Sequence, residues 1–135
     1  MKPLLLATLL LISPILFAKE KPYTVDSYLP QIDINQFYQE EQIKPNKSDF
    51  IVRSSLAMSN EDGSRAVLIN IENLSSGRRI LEPEQLIVLF ANGDVQTLTS
   101  LPRKTTVAGQ SKVNITIELG YNMYPVISVL TSNNI

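Results

Sequence analysis

The side chains of this chain that could do chemistry are its acids, bases and tyrosines, because it contains neither histidine nor cysteine. Ser–His and Cys–His nucleophile pairs are therefore excluded, as are the usual zinc, copper and haem sites. General acid–base work falls to Asp, Glu, Lys or Tyr. Asp94, directly behind Asn92-Gly93, sits where many catalytic and metal-binding loops carry an acid. Glu61 and Asp62, adjacent in "NEDGS", could join it around Ca²⁺, but the cluster lacks the spaced oxygen ligands of a calcium loop. A carboxylate-based hydrolase needs two acids facing each other across a cleft, roughly 5 to 10 Å apart. The acids here gather in turns, and no such pair is visible. Arg78, Arg79, Arg103 and Lys104 form a basic set suited to a carboxylate, a phosphate or an acidic protein surface. The alternative for them is a solvated surface of mixed charge. Tyr121 and Tyr124 could stack on a sugar or a peptide, or close the end of a core with their hydroxyls in water. No cofactor is implied.

These residues sit at the joints of a strand pattern. From Asp49 onward the apolar residues recur with period 2. "DFIVRSSLAMSN" places Phe50, Val52, Leu56 and Met58 on one face and Arg53 and Ser55 on the other. "RAVLINIENL" alternates Val67, Ile69 and Ile71 against Asn70 and Glu72. Leu86 to Ala91 are apolar on both faces, as in a central strand covered on each side or in an interface. "KVNITIELG" turns Val113, Ile115, Ile117 and Leu119 inward, and "VISVLTS" gives a last strand over Val126 to Leu130.

Between these runs, Asn92-Gly93 predicts a two-residue hairpin turn, since both residue types accept positive φ. Asp94 then opens the returning strand and has a structural role. If consecutive strands run antiparallel, loops 59–64, 92–93 and 120–124 share one end of the domain. Loops 75–83 and 102–111 share the other, where loop 39–49 should join them. The first end is acidic and the second basic. The tail "NNI" is expected to be loose.

The beginning of the chain reads differently. Residues 1–18, "MKPLLLATLLLISPILFA", have the basic start, apolar stretch and small final residue of a secretory signal. The apolar run is shorter than a membrane-spanning helix requires, so no membrane span is expected after cleavage. Removing the leader leaves 117 residues, one domain of ordinary size, with a net charge of about −2 that gives no pull on nucleic acid. Without cysteine, this domain must be held by packing and hydrogen bonds alone.

Residues 19–48 form an aromatic N-terminal segment, and 49–135 the main domain. Within the segment "QIDINQFY" reads as a first strand, or as a short helix capped by Asp33. Such a strand would pair with an edge of its own domain, or be lent to another molecule. Three sequons, at Asn46, Asn73 and Asn114, read as chance matches.

"LINIENLSS", "LEPEQLIVLFANGD" and "TTVAGQSKVNITIELG" together resemble the layout of small exported immunoglobulin-like β-sandwich proteins of Gram-negative bacteria, over residues 49–131. The likeness implies a fold and carries no functional residue, because these motifs mark turns; the Cys–Trp–Cys core of true immunoglobulin domains is absent. The expectation is an all-β protein, a single antiparallel immunoglobulin-like sandwich of about six to eight strands. Its expected role is that of a non-enzymatic module, periplasmic or secreted, that binds another exported protein. The alternatives are a small-ligand or glycan-binding domain and a carboxylate-based hydrolase.

Overall fold

The computed structural model describes residues 21–26, 38–39 and 42–135. The leader and most of the strand expected at 31–38 lie outside the described residues. Among the described residues nine strands follow in order: β1 (Thr24–Val25), β2 (Phe50–Ser59), β3 (Ser64–Asn73), β4 (Arg79–Leu81), β5 (Ile87–Phe90), β6 (Val95–Thr97), β7 (Thr105–Val107), β8 (Lys112–Tyr121) and β9 (Val126–Leu130). The surplus over the expected number comes from β1, β4 and β7, two or three residues each. Such short pieces leave no periodicity to read. All pairings are antiparallel. One sheet has the order β1-β2-β3-β8 and the other β6-β5-β9, while β4 and β7 pair separately. Among the described residues, no helix is long and apolar enough to cross a membrane.

The core forms where the inward sets of the two sheets meet. Phe50, Val52, Val67, Ile69, Ile71, Ile115 and Ile117 pack against Leu86, Val88, Phe90, Val126 and Val129. Burying each large side chain is worth about 1.5 to 3 kcal/mol relative to exposure. The alternation read from β3 and β8 is the alternation found, and the last strand lies where expected, over Val126–Leu130. The both-faces-apolar run is β5, central in its sheet, with Leu86 to Phe90 all buried.

β2 departs from its expected faces. Val52 pairs with Ile71, but Ser54 and not Arg53 pairs with Asn70, so Arg53 is an extra residue in a β-bulge. A bulge inverts the alternation beyond it. Ala57 therefore packs on the core with Phe50 and Val52. Ser55 reaches the Ser128 hydroxyl at 3.2 Å. Leu56 and Met58, expected inward, turn to the other side, Leu56 opposite Leu68. Arg53 itself pairs with Glu72 on the outer face.

The hairpin at Asn92-Gly93 is also different from the expected one. Phe90 N–H donates to the Asp94 carbonyl and Gly93 N–H to that of Phe90, so the loop has three residues, Ala91 to Gly93. Only Gly93 has positive φ (89°); Asn92 does not. This is the three-residue loop closed by a left-handed glycine. Asn60 to Ser64 repeats it, with Gly63 at φ 78°.

Loop 39–49 does not simply join the second end. Gln42 Nε2 donates to the Gly93 carbonyl at the first end, whereas Asn46 N–H donates to Glu84 and Asp49 pairs with Arg79 at the second. Residues 42–49 therefore run the length of the sandwich. β1 pairs with β2 in the same molecule, Thr24 opposite Ser59 and Val25 opposite Met58.

The "NNI" tail is tied down. Asn134 Oδ1 accepts from Val52 N–H (3.1 Å) and Thr131 N–H (2.9 Å), and its Nδ2 donates to the Val52 carbonyl (2.9 Å). Asn133 Nδ2 donates to the carbonyls of Ser48 and Phe50. Two carboxamides thus take the place of a neighbouring strand along the first half of β2, offering both donor and acceptor as a backbone would. Asn134→Ala is expected to cost about 2 kcal/mol, since several satisfied groups lose partners at once. The urea midpoint should fall with an unchanged slope.

Candidate functional site

At the first end, loops 59–64, 91–94 and 121–125 come together as expected. The last of these carries three large exposed side chains: Tyr121 (71 % exposed), Met123 (70 %) and Tyr124 (42 %). The backbone beneath them is fixed. Arg65 lies across the loop, its Nε donating to the Asn122 carbonyl (2.9 Å), its Nη2 to that of Met123 (3.1 Å) and its Nη1 to the Ser59 hydroxyl. Asn122 N–H donates to the Gly63 carbonyl, and Tyr124 N–H to Asn122 Oδ1. The Tyr121 ring covers Gly63, where an added Cβ would stand 2.9 Å from Cε2. Lys21 pairs with Asp62 at 2.7 Å beside this loop. The hydrogen bond to Asp62, together with its charge, raises the Lys21 pKa above the ordinary lysine value.

At the second end the four basic candidates divide. Arg103 and Lys104 line an open cleft of about 330 Å³ together with Ile80, Leu81, Glu82, Pro83 and Leu101. Neither has an ion-pair partner among the described residues. Arg79 is instead held by Asp49 at 2.8 Å. Arg78 is exposed and contributes its carbonyl to Arg79 Nη1. Sequence spacing alone grouped all four; the short β4–β7 pair separates them.

Among the described residues the acids form no cluster of three or more. Asp94 is exposed and engaged within its own turn, its N–H donating to Asn92 Oδ1 and its carboxylate accepting from Asn92 Nδ2 at 2.7 Å. Among the described residues it is the one carboxylate in a first-end cleft of about 480 Å³ that Gln42, Gln96 and Asn122 also line. Among the described residues no three acidic groups stand together as a metal site would need.

Sequence reasoning missed Met123 and Arg65. Met123 stands between the two candidate tyrosines, and an isolated methionine carries no binding signal of its own. The role of Arg65 as a clamp shows only once loop 121–125 is folded over it.

Fold and site together define a small antiparallel β-sandwich that presents a clamped, aromatic loop at one end and a lightly basic cleft at the other. No protein-family model, curated protein or solved structure matches the chain.

Proposed function

We propose that this chain is an exported, non-enzymatic binding module of the immunoglobulin-like kind, acting in the periplasm or as a secreted protein, with the 121–124 loop as its contact surface for another exported protein. The observation that carries this reading is the exposure of Tyr121, Met123 and Tyr124 on a backbone that Arg65 and Gly63 hold in place. Aromatic residues and methionine are enriched at protein interfaces. Tyrosine supplies large contact area for few rotatable bonds, and a loop already ordered loses little freedom on docking. The leader-like residues 1–18 support export, and the absence of His and Cys removes most catalytic chemistries.

The test is capture from periplasmic extract on immobilised full-length product, compared with Tyr121→Ala/Tyr124→Ala. A specific partner retained by the parent should be lost by about tenfold or more in the double variant, the effect of removing interface anchors. Equal capture by both proteins, or none by either, overturns the proposal. Retention of an oligosaccharide in place of a protein would move the reading to a glycan-binding domain on the same two tyrosines.

A further inference from the structure

A second surface lies on a different part of the molecule and does not rest on the loop. Strand edges left unpaired are templates for another strand, and folded proteins protect them. Here β2 is partly protected: β1 covers its end at Met58 and Ser59, the Asn133 and Asn134 carboxamides cover Phe50 and Val52, and a bulge interrupts it between. β8 is as long as β2, and on its outer side no strand is paired among the described residues.

The register fixes which groups that edge offers. Asn73 N–H donates to the Ser111 carbonyl, and Ile71 and Ile69 lie opposite Val113 and Ile115. Ladder bonds alternate along an antiparallel pair. Residues 113, 115 and 117 therefore spend their backbone groups on β3, while those of Lys112, Asn114, Thr116 and Glu118 point outward.

This outward series is complementary to itself. We propose that β8 pairs antiparallel with β8 of a second copy, about a two-fold axis at Ile115, joining two molecules into one continuous sheet. In that register Lys112 faces Glu118 twice and Asn114 faces Thr116 twice, giving about eight new backbone hydrogen bonds. Opposite charges directly across strands stabilise the pairing. Sliding by two residues either way sets Lys112 against Gly120 or Thr116 and leaves the charges unmatched. A two-fold contact of this kind is closed, so assembly stops at the dimer. Val113 and Leu119, packed on the core but only partly buried, would gain cover from the second copy.

Sedimentation of purified protein expressed from the full sequence tests this. The parent should be a dimer and Thr116→Pro a monomer with an unchanged circular dichroism spectrum, because that proline removes only an outward N–H. Lys112→Glu and Glu118→Lys should each weaken dimerisation about tenfold, since symmetry makes each reversal count twice. Glu118→Lys is the cleaner of the two, because Lys112 also lies opposite Glu72 in its own sheet. The combined variant should recover the dimer. A parent that stays monomeric at the highest concentration overturns the proposal. So does a dimer that neither single charge reversal weakens, whatever Thr116→Pro does to folding.

Discussion

Gly109→Ala is expected to destabilise the protein by about 3 kcal/mol or more and to lower its melting temperature by about 10 °C or more. A Cβ at position 109 would stand 2.1 Å from the Ser76 carbonyl oxygen, 2.4 Å from its carbon and 2.9 Å from Gly77 N. All three are backbone atoms, so no side chain can swing aside. The two loops are also tied together: Gln110 N–H donates to the Ser75 carbonyl at 2.9 Å. One of these backbones must move by about an ångström, and buried hydrogen bonds must break with it. Gly77→Ala is the internal control. The contact there is Arg79 Nη1 at 3.2 Å, the mobile end of a surface side chain, so the change should stay within about 0.5 kcal/mol. Equal losses in the two variants, read by thermal unfolding, would show that the close approach is not what fixes the glycine.

The second large effect is expected at Asn73, fully buried at the end of β3. Its Nδ2 lies within donating distance of the carbonyls of Gly77 (2.8 Å), Val107 (3.1 Å) and Ala108 (3.2 Å). Its Oδ1 accepts from the Ser75 N–H and hydroxyl. One carboxamide thus joins the loop after β3 to the loop after β7. Asn73→Ala empties the site and leaves several polar groups unpaired, for a loss of about 3 kcal/mol. Asn73→Asp keeps the size and the acceptor but turns a buried anion towards carbonyl oxygens. It should be at least as destabilising at neutral pH and should recover as the new carboxyl is protonated in acid. Urea unfolding at two pH values separates this from simple loss of volume. An Asp variant as stable as the parent would show that the donor half of Asn73 contributes nothing.

How far the residues alone revealed this molecule depends on the range over which each signal acts. β3 and β8 were legible because their side chains alternate over most of their length, and two sheets facing each other require that alternation. β2 was half legible: the pattern held to Val52 and then inverted, because nothing in "VRSS" announces that Arg53 is an extra residue. "NG" gave the right turn in the wrong form, since the three-residue loop needs positive φ only at its glycine. "AGQS" shows the limit of the same reasoning. Gly109 is present for want of a Cβ, while its neighbour Gln110 takes the left-handed conformation at φ 55°. The tail was read as loose from its composition, yet its carboxamides find partners more than eighty residues back in the chain.

Of the candidate site, the tyrosines were visible as residue types and their exposure was not. The basic set was visible as charge, and its division between a cleft and an ion pair depended on pairings of three residues.

Thr131 donates its hydroxyl to the Phe50 carbonyl across 81 positions of sequence, and Asn133 reaches Ser48 across 85. The first long strand is thus finished by side chains that are synthesised after every other strand. A chain wired in this way has no half that is stable by itself, and its rate of folding belongs with the slow, non-locally paired β proteins. The sandwich can therefore close only after the segment that follows β9 has come back onto β2.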